Sequence, residues 1–211
     1  MSITQKGRAR YAVHTYGTTY AEDADITLRD KPAPLYQLLV LATLLSARIS
    51  ADIAVAAARE LYRAGYRTPQ RMADATWQQR VDALGRGGYR RYDERTATML
   101  GDGAEQLQGE HRGDLRRLRS DDPAQTRSRL QTFPGIGPAG ADIFCREVQA
   151  VWPELVPYLD RKALQGAGKA GLPEDASRLA RLVPDADVVH LAAACVRAAL
   201  DQDVATAIRD A

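Results

Sequence analysis

The chain has 211 residues, of which 45% are hydrophobic and 27% charged, and its net charge is +2. This is the composition of a globular protein long enough to bury a core in one domain or two small ones, and it excludes a disordered chain. A balance this close to neutral permits a nucleic-acid partner without arguing for one, so any phosphate-binding face must arise from local clustering.

In chain order, residues 7–30 are polar and aromatic without a clear period, and no element is assigned there. Residues 35–45 are apolar on almost every side, which predicts a central buried helix, with Pro34 tolerated in its first turn. Ser50 caps a second, alanine-rich helix that reaches about Leu61. Thr68-Pro69 and Thr76-Trp77 each read as a cap followed by a short helix. Gly85-Arg86-Gly87-Gly88 reads as a break, and a longer helix is expected from 93 to about 107. Asp122-Pro123 opens a helix to Thr132, Pro134-Gly135-Ile136-Gly137 makes a sharp turn, and a helix follows from Pro138 to about Ala150. Two more helices are expected at 175–183 and 187–200. No alternating strand and no internal repeat is evident, so the fold is expected to be all-α.

Two cysteines, Cys145 and Cys195, are too few for a four-cysteine zinc or iron–sulfur site, and free buried thiols are expected. His14, His111 and His190 are scattered, and no metal site is expected. The longest apolar stretch, 38–45, is interrupted by Thr43 and is too short to span a bilayer. The N-terminus is charged and has no apolar signal core. The expectation is a cytoplasmic protein with no membrane partner.

The informative segment is Leu130-Gln131-Thr132-Phe133-Pro134-Gly135-Ile136-Gly137-Pro138-Ala139-Gly140-Ala141. Two glycines flank one aliphatic residue between two helices, so the backbone can adopt angles closed to other residues and can approach a neighbour closely. The first amides of the second helix have no intrahelical partner and lie along its dipole, which suits a phosphate oxygen without any charged side chain. A plain helix–turn–helix corner would share the same glycines and proline. Leu130, Phe133, Ile136, Ala141 and Phe144 fit the apolar core of a DNA-binding hairpin instead.

On these residues the chain resembles the helix–hairpin–helix DNA glycosylases, which include endonuclease III and the 3-methyladenine DNA glycosylase II type. Leu44-Leu45-Ser46-Ala47-Arg48 resembles the family segment at the end of its first core helix, and Tyr158-Leu159-Asp160-Arg161-Lys162-Ala163-Leu164 lies where the family has its catalytic aspartate. The likeness spans roughly 34–200. It implies two helical subdomains with a cleft between them: a central one at 30–150, with the hairpin at 123–150, and a second built from 1–29 and 151–211. It implies a monomeric enzyme that excises a damaged or mispaired base from double-stranded DNA by hydrolysing the N-glycosidic bond.

The resemblance assigns to Asp160 the stabilisation of positive charge developing on the sugar; an aspartate there also reads as an ordinary helix cap. Ala139 stands where strand-cutting members carry a Schiff-base lysine, so a monofunctional glycosylase is implied. Lys162 is two residues past Asp160, off its helix face, and a phosphate contact or a solvated lysine suits it better than nucleophilic attack. Pro134, Gly135, Ile136, Gly137, Pro138, Ala139 and Gly140 are the expected DNA-binding turn. Arg48 stands where the family fills the gap left by a flipped base, though it also reads as a surface arginine in a connecting loop; Arg90 and Arg91 lie in a loop that mixes arginine with Tyr89 and Tyr92 and could face DNA or simply solvent. Arg112, Arg116, Arg117 and Arg119 form a basic run that could touch phosphates or face solvent. Trp77, Trp152 and Tyr36 could line a base pocket, though core packing suits each one better. No cofactor is expected, the iron–sulfur cysteines being absent; a monovalent cation could rest on carbonyls near Phe133 and Ile136. The rival readings are a non-catalytic protein of the same fold that recognises damaged or distorted duplex, and a protein–protein module in which the turn is only a corner.

Overall fold

A computed structural model describes residues 4–211; the first three, part of the expected terminal domain, lie outside the described residues. The helices in chain order are α1 (Gln5–Tyr16), α2 (Tyr20–Asp23), α3 (Pro32–Leu45), α4 (Ala51–Arg63), α5 (Pro69–Asp74), α6 (Trp77–Arg86), α7 (Asp93–His111), α8 (Pro123–Leu130), α9 (Pro138–Val148), α10 (Arg161–Lys169), α11 (Ala176–Ala180), α12 (Val188–Leu200) and α13 (Gln202–Asp210). No strand occurs among the described residues, and the fold is all-α. The chain divides into two compact units, one comprising 21–154 and the other 1–20 with 155–211. No described helix is long and apolar enough to cross a membrane.

In the larger unit, α3 is the axis. Leu35, Tyr36 and every residue from Leu38 to Leu44 are buried, as its uniformly apolar composition requires. Each fully buried leucine there contributes about 1.5–3 kcal/mol relative to exposure. Helices α4 and α9 pack on α3, and α6 and α5 pack on α7. Side-chain caps begin three of these helices: Ser50 for α4, Thr68 for α5, and Thr76 in a capping box with Gln79 for α6. The buried Arg80 guanidinium ties three segments together, donating to the carbonyls of Ala97 (2.9 Å), Met72 (3.0 Å) and Ala75 (2.7 Å). Trp152, fully buried, stacks edge-on with Phe144 at 5.7 Å and donates from Nε1 to Asp30 at 3.0 Å.

In the smaller unit, α12 is buried nearly all round and packs on α10, α1 and α13. The α10–α12 approach depends on Gly166, where a Cβ would overlap the carbonyl of Cys195. Lys169 donates to Ala199 at 2.9 Å and so satisfies a carbonyl at the end of α12. Cys145 and Cys195 are both free and buried, and burial pushes the Cys195 thiol up to about 12.

Several expected boundaries shift. Residues 7–30 hold most of α1 and all of α2, which carry little apolar periodicity, and the nine-residue α13 also went unassigned. Helix α6 continues through Gly85 and Arg86 and breaks only at Gly87 and Gly88; α7 runs on to His111; α8 ends at Leu130 rather than Thr132.

Candidate nucleic-acid interface

Helices α8 and α9 with the turn between them form a helix–hairpin–helix within the larger unit. Leu130, Phe133, Ile136, Ala141 and Phe144 are all buried and plug the hairpin from inside. The turn is closed by the Phe133 and Ile136 amides, which donate to Leu130 (3.2 Å) and Phe133 (3.1 Å). That second bond occupies one lone pair of the Phe133 carbonyl, one of the two considered for a cation. Arg127 on α8 and Asp142 on α9 pair across the motif at 2.6 Å.

The two glycines of the turn differ in kind. Gly135 has φ +82°, and a Cβ there would stand 2.9 Å from Thr43 Cγ2 and 3.1 Å from Met99 Sδ. It is therefore glycine both for its backbone angle and for its contact with α3 and α7. Gly137 has φ −85° and ψ −172°, ordinary extended backbone, and nothing lies within 4 Å of its would-be Cβ. The expectation that both glycines hold angles closed to other residues is thus corrected for Gly137: no internal contact requires a glycine there.

Gly137 is the N-cap of α9, Pro138 follows in its first turn, and no side chain caps it. Gly137, Pro138 and Ala139 are exposed, while Gly140 is buried close to Ser46 Oγ. Behind the turn the space is nearly filled: Tyr36, Thr43, Met99, Phe133 and Pro134 border a cavity of only about 10 Å³. A ligand can therefore meet the hairpin only from its exposed side.

Other expected contact residues gather around the same end of α3. Arg48 is exposed just beyond that helix. The loop carrying Arg90 and Arg91 is pinned there by Tyr89, which is fully buried with its hydroxyl 3.5 Å from the Leu44 carbonyl. Tyr89 is thus a core residue and not a DNA-facing one. Arg90 and Arg91 remain exposed, with Arg91 lying 5.2 Å over the Tyr92 ring.

The remaining candidates separate by burial and pairing. Trp152 and Tyr36 are buried in the core, and Trp77 is 41% exposed with its ring N–H directed to Glu94 and Thr98 of α7. Much of the basic run is committed internally. Arg119 pairs with Glu154 (2.6 Å) and Asp30 (2.8 Å), and Arg116 with Asp114 (2.7 Å). The Arg119 and Arg116 guanidiniums hold the Glu154 and Asp114 carboxyls below their ordinary values. Among the described residues no group of histidine, cysteine and carboxylate side chains could hold a metal ion. The part Thr43 and Met99 play in shaping the turn is not visible in the sequence, because no motif marks it.

In the smaller unit, Asp160 is the N-cap of α10, and its Oδ1 accepts from the Ala163 amide at 2.8 Å. The carboxylate is half-buried and held in one orientation by that bond. Lys162, also half-buried, lies 3.5 Å from Gln165 Oε1.

These features define an all-helical protein with a helix–hairpin–helix whose second helix starts uncapped and exposed. Among solved structures, the chain matches a non-covalent endonuclease III–DNA complex at a TM-score of 0.53 with 17% identity, over 92% of this chain and 86% of that one. A trapped endonuclease III–DNA covalent intermediate in an estranged-adenine complex aligns over the same shares at 0.49 and 17%. No protein-family model matches the chain, and no curated protein matches it significantly. The fold is that of endonuclease III.

Proposed function

We propose that the chain is a DNA repair glycosylase that binds double-stranded DNA through the hairpin and releases a damaged or mispaired base by hydrolysis. The observation that carries this reading is the exposed, uncapped first turn of α9, set in a fold that matches an endonuclease III–DNA complex. Amides in that position hold a phosphate oxygen by direct donation and by the positive end of the helix.

The chemistry follows from the target's position inside a duplex. The nucleotide is swung out of the stack at a cost of a few kcal/mol, about that of unstacking one base. The bond from base to sugar then breaks, the base keeps the bonding electrons, and positive charge builds on the deoxyribose. The Asp160 carboxylate stabilises that charge, and its capping bond from Ala163 keeps it oriented. Water adds at the anomeric carbon and gives up a proton, the departed base takes up a proton from solvent in exchange, and an uncut abasic site remains. Ala139 has no amine to form a Schiff base, so strand cleavage by that route is closed.

The test is a panel of duplexes, each with one alkylated, oxidised, deaminated or mispaired base, scored for alkali-labile abasic sites. Asp160→Asn keeps a good helix cap and is expected to abolish release while duplex binding persists. Undiminished release by that variant would remove Asp160 from the mechanism. Borohydride is expected to trap no covalent adduct; one that vanished in Lys162→Ala would make Lys162 a nucleophile. One observation favours a second reading, a non-catalytic binder of damaged duplex: the cap bond of Asp160 explains an aspartate there without any chemistry. On that reading no lesion in the panel yields abasic sites, yet hairpin variants still lose DNA.

A further inference from the structure

We infer that Arg95 forms a second phosphate-binding position beside the hairpin, taking a backbone phosphodiester of the same duplex; this rests on the reading of the chain as a DNA binder. Helix α7 lies along the turn. Met99 Sδ is 3.1 Å, and Pro134 Cδ 3.8 Å, from where Cβ atoms on Gly135 and Gly103 would stand. Gly103 and Met99 are four residues apart, and Arg95 is four residues before Met99, so the three follow one stripe of the helix, with Cβ atoms about 5–6 Å apart per step. The stripe continues one turn beyond Met99 to Arg95, which is exposed.

Three features suit Arg95 to a ligand rather than to the fold. It stands in the first turn of α7, where the helix dipole disfavours a cation. Its side chain has no ion pair or hydrogen bond among the described residues, although Asp93, Glu94 and Asp102 are on the same helix. Several other arginines of the unit are committed to the fold, Arg80 to three carbonyls, Arg116 to Asp114, and Arg119 to Glu154 and Asp30, whereas the exposed Arg48, Arg71 and Arg90 lie on other segments, off the stripe that borders the turn. The electrostatics also favour a cation at this position. Hairpin amides orient a phosphate but carry no net charge, whereas the salt dependence of DNA binding counts the cations that displace counterions. An arginine fork one helical turn from Met99 supplies that charge and matches two phosphate oxygens.

The experiment measures fluorescence anisotropy of an undamaged labelled duplex with the full chain across a salt series. Arg95→Ala is expected to weaken binding about fivefold to tenfold at low salt and to lower the slope of log K against log salt by about one. Arg95→Lys is expected to keep the slope. Arg71→Ala is the control, since Arg71 lines a surface concavity with Tyr66, Asp74 and Gln79, none of which borders the turn. Gly137→Asp is the hairpin reference. Equal losses in Arg71→Ala and Arg95→Ala would reduce the effect to bulk charge and overturn the inference. Loss in Gly137→Asp with none in Arg95→Ala would overturn it and leave the DNA-binding reading standing. A wild-type chain that binds no duplex overturns both.

Discussion

Helices α9 and α10 begin in opposite ways. At α10 the Asp160 carboxylate accepts the Ala163 amide, so part of the helix's positive end is neutralised by the chain itself. At α9 the N-cap is Gly137, no side chain reaches back, and the first three residues of the start are exposed. The two starts share an extended N-cap backbone, with ψ of 172° at Asp160 and −172° at Gly137. The difference between them is therefore chemical: one start is closed by an anion of the protein, and the other has no side-chain acceptor of its own.

The largest expected effect comes from breaking the turn that sets α9 in place. Gly135→Ala forces a side chain into left-handed backbone at φ +82° and against Thr43 and Met99. The backbone penalty is about 1–2 kcal/mol, and overpacking adds about 1–3 kcal/mol. Urea unfolding should show a loss within the sum of those ranges. A variant as stable as the wild type would mean that the turn relaxes and does not position α9.

The next effect turns one helix start into the other. Gly137→Asp places at α9 the residue type that closes α10, on a backbone that accepts it. Stability should rise by a few tenths of a kcal/mol, roughly the advantage of aspartate over glycine at an N-cap. Duplex affinity should fall about 10-fold to 100-fold, because charge-assisted bonds worth about 1.5–3 kcal/mol are lost and a carboxylate faces the phosphate. Unchanged affinity alongside raised stability would show that the open amides bind nothing.

How far this contrast is legible in the sequence depends on the kind of signal. Proline, glycine and capping residues mark backbone events locally, so Ser50, Thr68, Thr76 and Asp122 locate their helices within a residue or two. The hairpin's apolar plug is also legible, because Leu130, Phe133 and Ile136 have no other place to go. The different needs of Gly135 and Gly137 are not, since they depend on Thr43 and Met99, far away in sequence. Arginine is the least legible residue type. Arg80, Arg119 and Arg91 look alike in a string, yet the first is buried on carbonyls, the second is held by two carboxylates and the third is exposed over a tyrosine. Only tertiary placement decides which cations remain for a ligand.

The smallest expected effect asks whether the open start depends on how the hairpin's two helices are tied. Arg127 and Asp142 join α8 to α9 at 2.6 Å, with side chains 36% and 25% exposed. A pair this accessible is screened by solvent and salt, and its coupling should be about 0.2–1 kcal/mol. The buried plug of Leu130, Phe133, Ile136, Ala141 and Phe144 contributes far more to the hairpin than the ion pair does. A double-mutant cycle with Arg127→Met and Asp142→Asn should therefore give a coupling in that range that shrinks in added salt, with duplex affinity changed less than threefold, about 0.65 kcal/mol. If affinity instead fell tenfold at unchanged stability, the ion pair and not the apolar plug would set the angle at which α9 presents its free amides. The contrast with α10 would then depend on a surface charge pair.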